Sequence, residues 1–158
     1  MKRIATLISI AMAGWAFTAA AQQQPAAGFK PYAPSLADIM MMAQLRHAKL
    51  WLAGSVSNWE LANFVIHEIE EGMESAAKHY PTYKGSPVGR MIEDTLKDPI
   101  ENVEKAIKAQ NGTTFLTAYD KLTEACNACH QASNHAFIVI QRPLTSPFPN
   151  QMFAPARK

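Results

Sequence analysis

The stretch "TFLTAYDKLTEACNACHQA", residues 114–132, decides how this chain reads. Phe115, Tyr119, Leu122, Cys126 and Cys129 recur three or four positions apart, the spacing of an α-helix with one buried face. The same stretch holds the only two cysteines of the chain, three positions apart, with His130 directly after the second. Residues i, i+3 and i+4 share a helix face, so Cys126, Cys129 and His130 are expected to point at one place.

Four chemistries compete for that arrangement. A structural zinc site needs a second ligand pair, and the sequence has neither another Cys pair nor a suitably spaced His pair. A thioredoxin-like dithiol belongs at a helix start within a strand–helix–strand pattern, which is absent here. A disulfide between residues three apart on one helix has poor geometry. The spacing C-x-x-C-H is the direct signature of c-type haem attachment. In that chemistry the two thiols add across the two vinyl groups to give thioethers, and the adjoining imidazole coordinates the iron. The expected cofactor is one covalent haem c, held by Cys126 and Cys129, with His130 as the proximal iron ligand.

Outward from this helix the chain reads as all-α. Ser35 is an expected N-cap with Asp38 as its capping-box partner. Leu36, Met40, Ala43, His47 and Leu50 then mark a first helix ending at Gly54. A second begins near Ser57 or Asn58, carries Trp59, Ala62, Ile66, Ile69, Met73 and Ala76 on one side, and stops at Pro81. A third follows the loop "PTYKGSP" with Ile92, Thr95, Val103 and Ile107 inward, and Pro99 within it predicts a kink or break near Asp98. Asn111-Gly112 closes it and Thr113 is the expected cap of the fourth. Four helices on short connections predict an antiparallel four-helix bundle over residues 35–132, with the haem attached near the end of the last helix. Residues 22–34 read as an irregular lead-in, and residues 133–158 as an irregular C-terminal extension in which "AFIVIQRP" could form a short strand.

The first 21 residues have the three parts of a secretory signal peptide: Lys2 and Arg3, an apolar run from Ile4 to Phe17, and small residues before Gln22. That run is shorter than the roughly 20 residues of a bilayer span. An exported, periplasmic protein is expected, a compartment suited to covalent haem. Of 15 basic residues two belong to the leader, so 13 face 13 acidic ones in the remainder. A balanced charge without basic clusters excludes nucleic acid as an expected partner.

A haem motif near the end of the last helix of a four-helix bundle resembles the class II cytochromes c, the cytochrome c′ group and its low-spin relatives. The matching residues are 114–132 and, more loosely, the span 35–132. The resemblance implies thioethers at Cys126 and Cys129 and His130 as proximal ligand; the expected function is one-electron transfer with redox partner proteins, not enzymatic turnover. The resemblance also implies an alternative, the binding of NO or CO at an open distal face. The chain departs from the family pattern after Ala132, where residues 133–158 continue.

The bundle order places the end of the fourth helix beside the start of the first, the end of the second and the start of the third. Met40, Met41, Met42, Met73 and Met91 all fall at that end; methionine adapts to an irregular apolar wall, although ordinary core filling explains each one singly. For the distal iron position three readings stand: Met40 or a neighbouring Met, His47, or no protein ligand. A protein ligand there favours electron transfer, with Met raising the potential, and an open face favours gas binding. A peroxidase-like pair of His47 and Arg46 is poorly arranged, because neighbouring helix positions diverge by about 100°. His67, among acidic residues, reads as solvated. Arg46, Lys49 and Arg90 are candidate partners for haem propionates, with solvated surface charge as the plain alternative. Phe137, Ile138, Ile140, Phe148 and Phe153 predict a C-terminal segment packed over the haem edge or along the fourth helix. The Trp51/Leu52 side of the first helix is a possible homodimer surface.

Overall fold

The computed structural model describes residues 32–156. The expected leader at residues 1–21 and residues 22–31 of the lead-in lie outside them. Four helices follow in order: α1 (Leu36–Gly54), α2 (Trp59–His79), α3 (Val88–Lys108) and α4 (Gly112–Ala132). They form a helical bundle, with no strand among the described residues and a single isolated bridge between Tyr83 and Ser86. No described helix is long and apolar enough to cross a membrane.

The helix starts follow from local hydrogen bonding. The Ser35 side chain accepts from the Asp38 amide at 3.2 Å while the Ser35 amide donates to the Asp38 carboxylate at 3.0 Å, a complete capping box. These Ser35 bonds, side chain first and backbone second, hold the Asp38 carboxyl below its usual range. Asn58 caps α2 through the Leu61 amide. At α4 the cap is Asn111 rather than Thr113: its carboxamide oxygen accepts from the Thr114 amide at 3.0 Å, and Gly112 is already helical. Asparagine does at this position what threonine was expected to do two residues on.

Pro99 does not end α3, which runs unbroken to Lys108. The proline removes the one amide that would have bonded the carbonyl of Thr95, while Ile92, Leu96, Ile100, Val103 and Ile107 stay buried on both sides of it. Tertiary burial of that stripe outweighs a single lost backbone bond.

Successive helices pack along their lengths: α1 on α2, α2 on α3, α3 on α4. The closing pair, α1 and α4, meets only sparsely. Where these two do touch, the contact is tight. A methyl group at Gly54 would overlap the Phe115 ring, so glycine there serves a close approach, beyond the helix stop read from sequence. Gly89 plays the same part between α2 and α3, where a Cβ would sit 2.7 Å from the Ala77 carbonyl oxygen.

Residues 133–156 form neither helix nor strand. They run back over the bundle as a strap. Asn127 of α4 exchanges two hydrogen bonds with the backbone of Ile140. Arg142 makes a paired contact with Asp120 of α4 at 2.8 and 2.6 Å and lies 4.3 Å above the Trp51 ring of α1. Further on, Phe148 sits beneath Lys49, and the Asn58 side chain donates to the Phe153 carbonyl at 3.0 Å. The strap thus crosses the seam that α1 and α4 leave thinly packed. It also covers Trp51, which sequence offered as a dimer surface.

Candidate functional site

Between α1 and α4 lies an apolar cavity of about 470 Å³, within the range of cofactor-sized pockets. Its α1 wall carries Met40, Met41, Ala43 and Gln44; Ile69 and Met73 of α2 and Val88, Ile92 and Leu96 of α3 form the floor. The α4 wall is Leu122, Cys126, Cys129 and His130, and the strap adds Phe137, Ile138 and Ile140. All five residues singled out from the sequence, Met40, His47, Cys126, Cys129 and His130, line this one cavity.

The two thiols sit where the buried stripe of α4 emerges from the core. Phe115, Tyr119 and Leu122 are fully buried, whereas Cys126 and Cys129 are half-buried and unpaired. Burial, and secondarily Cys129, pushes the Cys126 thiol up to about 12; burial also raises Cys129, opposed by a hydrogen bond with Thr95. Both lie in the last two turns of α4, where the helix dipole disfavours an added negative charge. A redox dithiol uses the reverse arrangement, a helix N-terminus that lowers the thiol pKa.

His130 is oriented by the strap. Its Nδ1 lies 3.0 Å from the Ile138 carbonyl oxygen. A carbonyl only accepts, so Nδ1 carries the proton, which leaves Nε2 as the nitrogen that can offer a lone pair. Metal-binding imidazoles are held in this way.

His47 has a different environment. It is 5% exposed, with Nδ1 2.9 Å from the Tyr119 hydroxyl and Nε2 2.9 Å from the Thr123 hydroxyl. The Tyr119 ring lies against it at 4.5 Å between centroids. Burial lowers its pKa to about 4, and burial first of all holds the Tyr119 hydroxyl well above its usual value. With both nitrogens in hydrogen bonds, His47 is a satisfied core histidine at the end of the cavity. Arg46 points away to Glu68, bonding its carboxylate and its carbonyl oxygen at 2.7 Å each, so the two side chains diverge and share no site.

The methionines divide. Met40, Met41 and Met73 line the cavity; Met42 faces a smaller hollow of about 220 Å³ beside Leu45, Phe64 and Phe148; Met91 lines neither. Of the cations proposed for propionates, Arg46 is held by Glu68, Lys49 lies over Phe148 and Arg90 pairs with Asp94 at 3.3 Å. The basic residue that reaches the cavity is Lys84, next to Tyr83 in the tight turn between α2 and α3. His67 pairs loosely with Glu70 and Glu71 at the surface.

Sequence reasoning missed Tyr83, Lys84 and His135 as lining residues. The signal was present: the loop after the second helix was expected at the same end as the end of the fourth. Among the described residues no three His, Cys, Asp or Glu side chains cluster as a metal site; a porphyrin supplies four of its iron's ligands itself and asks the chain for only one or two.

No family model matches the chain, and no curated protein or solved structure matches it significantly.

Proposed function

We propose that the protein is an exported monohaem c-type cytochrome of class II-like architecture, an antiparallel bundle acting in the periplasm as a one-electron carrier between redox partner proteins. One observation carries this reading: Cys126, Cys129 and His130 face a single apolar cavity, and His130 is held with Nε2 as its lone-pair nitrogen. The leader read in residues 1–21 supports export. Haem bound there would supply reversible exchange of one electron at its iron.

The chain's own residues have distinct tasks. Cys126 and Cys129 would hold the porphyrin edge, and His130 would donate Nε2 from the α4 side. With haem in place the apolar lining would keep water from it, which lowers the cost of reorganisation when charge changes. On the α1 wall Met40, with Met41 beside it, would offer a thioether sulfur to the iron as a second protein ligand. His47 would first have to give up the hydrogen bonds of both its ring nitrogens, to Tyr119 and to Thr123. Lys84 is the available partner for a propionate.

Absorption spectra of the oxidised, reduced and carbon-monoxide-treated protein test the proposal. A far-red charge-transfer band, lost in Met40→Ala, and a ferrous spectrum indifferent to carbon monoxide are the expected results. A high-spin ferrous spectrum that shifts at once with carbon monoxide would replace electron transfer by reversible binding of NO or CO at an open distal face.

A further inference from the structure

We infer that Asn127, a variable position inside the C-x-x-C-H motif, is a positioning residue for His130 that acts through the backbone of the strap. The inference rests on the haem reading above. The Asn127 carboxamide bonds Ile140 in both directions: Nδ2–H donates to the Ile140 carbonyl at 2.9 Å, and the Ile140 amide donates to Oδ1 at 2.7 Å. Two residues earlier the Ile138 carbonyl accepts from His130 Nδ1 at 3.0 Å. The segment between closes on itself, since the His135 amide donates to the His130 carbonyl and the Ile138 amide to the His135 carbonyl. Asn127 and His130, three apart on α4, therefore grip one short piece of chain at two points.

Within the protein alone, apolar burial adds little to hold this piece: Phe137 is 80% exposed, Val139 71% and Ile138 40%. The next anchor along the strap is Arg142, held by Asp120 and Trp51; it fixes the chain beyond Ile140, four residues past the Ile138 carbonyl. The Asn127 clamp is what keeps the Ile138 carbonyl under the imidazole. A carbonyl acceptor on Nδ1–H makes Nε2 a stronger donor, and a stronger axial donor favours ferric over ferrous iron. Releasing the clamp therefore raises the reduction potential.

The test measures two things in the full haem-loaded chain: deuterium exchange of the strap amides by mass spectrometry, and the reduction potential. Asn127→Ala is expected to expose the Ile140 amide to exchange and to raise the potential. The expected size is up to about tenfold in the ferric-to-ferrous preference, about 59 mV for a one-electron couple. Ile140→Pro, which removes the donated amide from the other partner, is expected to raise it similarly, and the double variant to add nothing further. A potential unmoved in both single variants while the strap exchanges freely would overturn the inference, as would full additivity in the double variant. Absence of covalent haem from the wild-type chain would instead defeat the functional reading, and exchange at Ile140 would still report whether Asn127 holds the strap.

Discussion

The same two helices, α1 and α4, behave in opposite ways at their two ends. At one end Gly54 lets the Phe115 ring lie against the α1 backbone, Tyr119 stacks on His47 and Trp51, and Trp59 meets Phe115 edge-on at 5.9 Å. At the other, Ala37, Met40, Ala43 and Gln44 face Cys126, Cys129 and His130 across an open cavity. One helix pair is welded by aromatics at one end and held apart by small or flexible side chains at the other. The difference teaches how a bundle encodes a slot: glycine and large rings close a seam, while alanine and cysteine at equivalent register positions leave it open. The strap then roofs the open half, with His130 and Asn127 both tied to it.

This comparison can be broken at its packed end. Phe115→Ala removes the ring that fills the α1–α4 contact and is expected to cost about 3–5 kcal/mol in chemical denaturation, with the haem spectrum of the surviving folded fraction unchanged. A spectral change in that variant would mean that the two ends are one unit rather than two.

A second expectation concerns pH. The unfolded chain protonates His47 near its ordinary value of 6.5, whereas the buried ring resists until about 4. Its contribution is therefore complete above pH 6.5 and lost as pH falls towards 4, about 3 kcal/mol over the window. Denaturation at pH 7 and pH 5 measures the loss, and His47→Gln should flatten it. A wild-type profile that is level between these values, or one unchanged in the variant, would return His47 to a role outside the core.

Gly54→Ala gives the smallest effect. A methyl group there must displace the Phe115 ring, which is expected to cost about 1–3 kcal/mol without altering haem content. A neutral or stabilising result would show that the close approach is not needed.

The helices were legible in the sequence because burial of one face repeats every three to four residues, and the Ser35 capping box because its partners are three residues apart. Cys126, Cys129 and His130 were legible for the same reason: a helix turns a local spacing into a shared direction. The cavity itself was not, since it depends on which side-chain volumes oppose each other between α1 and α4. Met40 and Met42 look alike in sequence yet face different hollows, because two helix positions differ by about 200°. The core role of His47 was not legible beside its ligand and catalytic readings because its partners, Tyr119 and Thr123, lie more than seventy residues away. The strap was expected to pack on the bundle from its apolar residues, but side-chain to backbone bonds such as Asn127 to Ile140 guide its path near the cavity, and those have no periodic signature.

The central claim is a porphyrin joined through Cys126 and Cys129 to the end of α4. The most direct measurement is the intact mass and colour of the purified exported chain after denaturation and extraction with acidified organic solvent. The account predicts that the red pigment stays with the polypeptide, adding the mass of one haem, and that the double variant Cys126→Ala/Cys129→Ala loses it. A chain at its bare polypeptide mass, or a pigment that leaves with the solvent, would contradict the account.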